Sequence, residues 1–129
     1  MDTRSLALGL AVNRVLFGAA FLVSPERAAG SWIGPVAESG GGGVMVRATG
    51  ARDLALGAGA LAALRGPGDA RPWFAAHLLA DATDAAATWV ARRELGAVRT
   101  AYAMFMGSAS AAIAAGYLAN RPTSFERPA

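Results

Sequence analysis

The stretch AYAMFMGSASAAIAAGYLA, residues 101–119, carries no charged side chain. A helix on the surface of a soluble protein normally keeps a charged or strongly polar face toward water, and this stretch has no such face. Its length is close to the ~20 residues that a helix needs to cross the hydrocarbon core of a bilayer. The stretch therefore predicts a membrane-spanning helix.

Four apolar stretches of this kind follow one another along the chain, and they predict helices at about 5–23, 44–64, 73–91 and 98–119. All six prolines lie outside these ranges, as expected because proline disrupts a helix interior. We predict an all-α fold, an antiparallel four-helix transmembrane bundle. It would form a single membrane domain over residues 1–129, with a frayed tail at 120–129.

The overall composition agrees with a membrane environment. Charged residues make up 16% of the chain, compared with roughly 25% in an average soluble domain. A water-soluble four-helix bundle is the alternative, but each of its helices should then carry a charged outward stripe. A signal peptide is not predicted at the start of the chain, because Arg14 interrupts the first apolar stretch.

The bias toward Ala, Gly and Arg is typical of a GC-rich bacterial genome, so we expect a multi-pass protein of the inner (plasma) membrane. Basic residues outside the helices number slightly more on the side of the two termini, which favours cytoplasmic termini. The lipid bilayer is the expected partner, and a homo-oligomer is left open. Nucleic acid is not expected, because the arginines are scattered without interleaved aromatic residues.

Charged residues also occur inside the predicted helices, near their midpoints. Arg14 lies in the first helix, Arg52 and Asp53 in the second, and Asp81 and Asp84 in the third. A lone charge at the bilayer centre costs ~2.5–3.5 kcal/mol, so these residues should pair inside the bundle. Matching depths predict two pairs, Arg14 with Asp81 and Arg52 with Asp84, with Asp53 as a further partner for either arginine.

The third helix carries a polar stripe made of His77, Asp81, Asp84 and Thr88, whose spacing places them on one face. One interpretation is a structural core of ion pairs that fixes which helices pack together. A second is a pocket for proton transfer or for the polar group of a ligand. A third is a metal site, which nearby arginines would disfavour by repelling a cation. We therefore predict neither a metal nor a cofactor.

The leading functional hypothesis is a pocket that binds or transforms a lipophilic small molecule by proton transfer. The candidate catalytic residues are Asp81, Asp84 and His77, and the candidate ligand-binding residues are Arg14, Arg52 and Asp53. One aspartate would act as acid or base, the histidine would relay protons, and the two arginines would hold an anion or oxyanion. The alternative is a structural or accessory membrane subunit, or a small proton-coupled carrier.

Familiar catalytic signatures are absent from the sequence, including the P-loop, G-x-S-x-G and H-E-x-x-H, so enzymatic activity is left undecided. Asp81-Ala82-Thr83-Asp84 matches a bare D-x-x-D, but the membrane transferases that grip a diphosphate need a second acidic motif, and the chain has none.

The segment GARDLALG, residues 50–57, followed one helix later by Asp81 and Asp84, resembles a recurrent pattern. It is similar to a G-x-R-D-x-x-x-G signature of small bacterial four-helix integral membrane proteins that form a domain-of-unknown-function family, distantly similar to the DoxX-like group. The resemblance covers Leu6 to Tyr117. It implies four membrane helices and marks Arg52 and Asp53 as the polar residues of the motif, but it implies no particular activity.

Overall fold

The structure is a computed structural model, and it describes residues 2–120. All regular secondary structure in this range is helical, which confirms the predicted all-α class. The helices are α1 (Thr3–Val23), α2 (Pro25–Ile33), α3 (Gly40–Arg65), α4 (Arg71–Val90), α5 (Arg92–Leu95) and α6 (Ala97–Ala119), with a 3-10 helix at Gly34–Glu38 between α2 and α3. The predicted frayed tail lies outside the described residues from position 121 onward.

The four long helices α1, α3, α4 and α6 cover the four apolar stretches, and the short elements lie between them. Sequence analysis did not predict α2, α5 or the 3-10 helix. Pro25 lies outside the four predicted helices and occupies the first turn of α2, where proline's missing N–H removes no hydrogen bond. Pro72 likewise lies in the first turn of α4.

The starts of α1 and α3 are both defined by capping side chains. The carboxylate of Asp2 accepts a hydrogen bond from the Ser5 backbone N–H at 2.7 Å, and this bond lowers the pKa of Asp2 below its ordinary value. Ser39 Oγ accepts a bond from the Gly42 backbone N–H at 3.0 Å. Helix α3 therefore begins earlier than the predicted start at about position 44, because Gly40 to Gly43 form its first turn.

Helices α1 and α3 pack closely because glycines lie at their contact. A Cβ added to Gly18 would lie 2.5 Å from the Leu54 backbone nitrogen, and one added to Gly57 would lie 2.7 Å from the Ala11 carbonyl oxygen. At the other end, Arg4 Nη2 donates a hydrogen bond of 2.7 Å to the Leu64 carbonyl oxygen. The start of α1 therefore lies beside the end of α3, and the two helices run in opposite directions.

Helices α4 and α6 form the second closely packed pair. The rings of Phe74, near the start of α4, and Tyr117, near the end of α6, have centroids 4.3 Å apart. Phe74 belongs to an apolar core at this end of the molecule, with Leu10 and Leu64 from the other pair. The fold is thus two helix pairs, α1 with α3 and α4 with α6, joined by a shared core.

The outer surface of the long helices is mostly apolar, while the charged residues near their midpoints pair inside. Leu16 on α1, Leu79 on α4 and Phe105 on α6 are all exposed by more than half, and α6 has few buried residues. Over the described range, α1 and α6 are the two helices long and apolar enough to cross a membrane. Helices α3 and α4 do not reach that measure of apolarity, because α3 is rich in glycine and both carry central charges.

The glycine contact between α1 and α3 yields a first prediction. Gly57→Ala should lower the free energy of unfolding by about 1–3 kcal/mol, because the added methyl group would meet rigid backbone of α1. Reversible unfolding in mixed detergent micelles measures this change.

Gly9→Ala in α1 is the matched control, because a Cβ at Gly9 meets nothing within 4 Å. It should leave stability unchanged or raise it by about 0.5–1 kcal/mol, since alanine favours a helix over glycine. Equal effects of the two substitutions would contradict the close packing of α1 and α3.

Candidate functional site

Five charged side chains form one continuous chain of alternating sign at the centre of the long helices. Its order is Asp81, Arg14, Asp53, Arg52, Asp84, and each neighbouring pair makes a salt bridge. Because these residues come from α1, α3 and α4, the chain connects three helices. We refer to these five residues as the charge chain.

Arg14 occupies the most buried part of the charge chain and is only 5% exposed. Its Nη1 donates a hydrogen bond of 2.9 Å to Asp53 Oδ1, and its Nη2 donates one to Asp81 Oδ1. Ser110 on α6 extends this network, because its hydroxyl donates a bond of 2.7 Å to Asp81 Oδ2. All four long helices therefore contribute to the polar centre.

Arg52 forms the other half of the charge chain. It binds Asp84 with two parallel hydrogen bonds, from Nη1 to Oδ1 at 2.9 Å and from Nη2 to Oδ2 at 2.7 Å. Its Nε and Nη2 also donate to Asp53 Oδ1 at 3.1 and 3.0 Å. The side chains of Arg52 and Asp84 are each 31% exposed, so this half of the chain is less buried than the Arg14 half.

The charge chain starts and ends in a carboxylate, so with all five groups ionised it carries a net charge of −1. Asp53 is its central link, and its Oδ1 accepts hydrogen bonds from both guanidinium groups. Its second oxygen, Oδ2, accepts no side-chain hydrogen bond from the described residues. By contrast, both oxygens of Asp81 and both of Asp84 have donors.

A cavity of about 150 Å³ lies beside the charge chain. Its polar end is formed by Arg14, Asp53, Asp81 and Asp84, while Arg52 stays outside it. A water molecule needs roughly 10–15 Å³ by a comparable measure, so the space exceeds what a few ordered waters require.

Aromatic rings form much of the remaining wall, with contributions from Phe17, Phe21, Trp32 and Tyr102. Trp32 on α2 is held by a hydrogen bond of 3.1 Å from its Nε1 to Thr88 Oγ1 on α4. Its ring also stacks on Phe21, with centroids 6.3 Å apart and an angle of 13° between the planes. Helix α2 therefore supplies a fixed aromatic wall to the cavity.

The exposed part of the cavity wall lies mainly on α1 and α6. The exposed lining residues are Asn13 and Phe17 on α1, Ser31 on α2, and Tyr102 and Met106 on α6. Helices α1 and α6 are also the two that are apolar enough to cross a membrane. The exposed side of the cavity is therefore formed mainly by the two most apolar helices of the fold.

The predicted pairs Arg14–Asp81 and Arg52–Asp84 are both present, so the pairing prediction is confirmed. Of the predicted site residues, His77 is the one that the structure sets apart. It is completely buried against Phe74, it does not line the cavity, and neither ring nitrogen has a hydrogen-bond partner in the described part of the chain. A route for protons through His77 to the surface is not visible in these contacts.

Sequence reasoning missed Ser110 and the aromatic wall. Neither Ser110 nor Trp32 was among the residues predicted to form the site. Thr88 could have indicated a role for Trp32, because this threonine completes the polar stripe of α4 and its buried hydroxyl requires a hydrogen-bond partner. No signal in the sequence distinguishes Ser110 from Ser108, because only the packing of α6 decides which of them faces the cluster.

Compared with known protein families, with curated proteins and with solved structures, the chain shows no match. Residues 2–120 also contain no group of three His, Cys, Asp or Glu side chains arranged to hold a metal ion. The function is therefore inferred from the geometry of the charge chain and its cavity.

The two halves of the charge chain should differ in their importance for stability. Arg14→Gln should lower the free energy of unfolding by about 3–5 kcal/mol, because it removes the arginine partner of the buried Asp81 and one of the two arginine partners of Asp53. Arg52→Gln should lower it by about 1 kcal/mol or less, because its ion pair is partly exposed. Reversible unfolding in mixed micelles gives both values.

Arg47→Gln is the control for loss of a positive charge, because Arg47 is exposed and makes no salt bridge with any described residue. It should be close to neutral. If Arg52→Gln and Arg14→Gln lower the free energy of unfolding equally, burial does not decide the cost of losing each arginine.

Proposed function

We propose that this protein is an integral membrane protein whose four long helices form an antiparallel transmembrane bundle in the bacterial inner membrane. The distribution of polarity supports this proposal. The central charges of α1, α3 and α4 bind one another inside the fold, while most exposed positions in the middle of the same helices are apolar. In water this arrangement would expose large apolar side chains without a covering partner. In a bilayer the apolar side chains contact lipid, and the charged side chains remain paired inside the fold.

Helix α6 gives the strongest support for insertion. An apolar helix in a soluble protein is normally buried in the core, but α6 is apolar and mostly exposed. Phe105, at 71% exposure, lies in the middle of this surface. Helices α3 and α4 can share the membrane because their charges are neutralised within the charge chain, and because Arg47 can extend toward the surface from the second turn of α3. The resemblance to small DoxX-like membrane proteins stays a prediction.

We further propose that the cavity binds a lipophilic small molecule that enters from the bilayer. The observation that carries this proposal is the lining of the cavity, which includes four residues of the charge chain together with exposed residues of the apolar helices α1 and α6. A purely structural ion-pair core would need neither the space nor this exposed lining. The aromatic wall suits an apolar ligand body, and the charge chain suits a polar group at its end.

Asp53 is the residue best placed to exchange a proton with such a ligand. Its Oδ2 has no donor among the described side chains, whereas both oxygens of Asp84 accept from Arg52 and the two oxygens of Asp81 accept from Arg14 and Ser110. A proton bound to a nitrogen or oxygen of the ligand could pass to Oδ2, leaving the electron pair of the broken bond on the ligand. In this proposal Asp81 and Asp84 position the guanidinium groups, and Asp53 touches the ligand.

Membrane insertion can be tested with single cysteines, because the native chain contains none. Spin labels attached to exposed sites on the four long helices should be accessible to oxygen dissolved in lipid and protected from a water-soluble nickel complex. The sites are Leu16→Cys, Ala55→Cys, Leu79→Cys and Phe105→Cys.

Gly68→Cys, in the loop between α3 and α4, is the control and should show the opposite accessibility. If the labels on α3 and α4 were accessible to the nickel complex while those on α1 and α6 were not, two helices would cross the membrane rather than four. Exposure of all four sites to the nickel complex would refute insertion altogether.

Ligand binding can be tested by filling the cavity. Ala103→Trp on α6 places a large side chain in the cavity wall, and it should abolish any small-molecule adduct seen by native mass spectrometry of protein purified from its own membrane. Ala112→Trp is the control, because Ala112 is exposed on the same helix and does not line the cavity. An adduct that survives Ala103→Trp, or the lack of any adduct in the unmodified protein, would count against the binding proposal.

A further inference from the structure

We propose that the ligand of this cavity is a lipophilic organic cation of single positive charge, such as an alkyl or aryl ammonium ion. This inference rests on the proposed function, since it names the chemical class of the molecule that the cavity binds. Three features of the structure point to it: the charge balance, the free oxygen of Asp53 and the aromatic wall.

The charge balance favours a cation over an anion. Three carboxylates and one guanidinium line the cavity, and Arg52, which does not line it, leaves the whole charge chain at −1. A net charge in a medium of low dielectric constant is costly, so one proton or one monovalent cation stabilises the cluster by making it neutral. An anion would raise the net charge to −2 and increase that cost.

The two arginines do not prevent such a ligand from binding, although they would disfavour a small metal ion. Both guanidinium groups are held between carboxylates, with Arg14 between Asp53 and Asp81 and Arg52 between Asp53 and Asp84. A bulky organic cation needs no set of converging oxygen ligands. It needs one accessible negative group, and Oδ2 of Asp53 is available for that role.

The aromatic wall supplies the second recognition element. Phe17, Phe21, Trp32 and Tyr102 all line the cavity that Asp53 borders. The faces of aromatic rings attract cations, and the attraction is strongest for tryptophan and in sites shielded from water. The bond from Trp32 to Thr88 holds this ring in place without using its face.

The test compares three probes that share a phenyl group and differ in charge. They are benzyltrimethylammonium, its uncharged carbon isostere neopentylbenzene, and phenylmethanesulfonate. Binding to the full chain in lipid nanodiscs is measured by calorimetry, and identical nanodiscs without protein give the background from partition into lipid. The cation should bind at least about tenfold more tightly than the isostere, and the anion more weakly than either.

Two variants locate the binding. Asp53→Asn brings the charge chain to zero and should lower the affinity for the cation about tenfold or more while changing that for the isostere little. Phe105→Leu, on the outer surface of α6, is the control and should change neither affinity. If Asp53→Asn does not fold, Trp32→Leu serves instead, and it should lower the affinity for the cation more than the affinity for the isostere.

The outcomes separate this inference from the proposed function. Equal binding of cation and isostere, or tighter binding of the anion, would overturn the cation inference and leave the cavity as a binding site for another class of molecule. Binding of none of the three probes, together with the lack of a native adduct, would overturn both. Preference for the cation that Asp53→Asn and Trp32→Leu leave unchanged would also refute the inference, because the cation would then bind elsewhere.

Discussion

The packing of the long helices depends on the charge chain, in which two guanidinium groups share the carboxylate of Asp53. Arginine does not lose its proton under ordinary conditions, so each buried guanidinium must be balanced by a nearby negative charge. Asp53 balances Arg14 of α1 and Arg52 of its own helix, and these two arginines in turn bind Asp81 and Asp84 on α4. A shift of any one of these helices along its axis by one turn would separate at least one pair.

Glycine has different consequences at the contact between α1 and α3 and at the cavity wall on α6. Gly18, Gly50 and Gly57 bring the backbones of α1 and α3 so close that a methyl group at any of them would collide with the facing helix. Gly107 on α6 meets nothing within 4 Å at its Cβ position and lines the cavity. Small residues therefore close the space between α1 and α3, whereas Gly107 leaves space at the cavity wall on α6.

The long helices and the main ion pairs could be predicted from sequence because both follow from local quantities. Apolar length defines the helices, and equal depth brings Arg14 to Asp81 and Arg52 to Asp84. Helix α2 could not be predicted in this way, since it is short and only about half apolar, and Trp32 acquires its role through contacts with α1 and α4. The central position of Asp53 also depends on how α1 rotates about its axis, which no spacing in the sequence fixes.

The net charge of the charge chain separates a functional from a structural interpretation. A core of ion pairs that only held helices together would be most stable when neutral, and Asn at position 53 could still accept hydrogen bonds from both arginines while removing the surplus charge. The protein instead keeps a third carboxylate, places it at the edge of a cavity and leaves one of its oxygens without a donor among the described side chains. In a bilayer that arrangement is unfavourable until a proton or another cation joins it. Because of this surplus negative charge, the site gains stability when it takes up a positive charge.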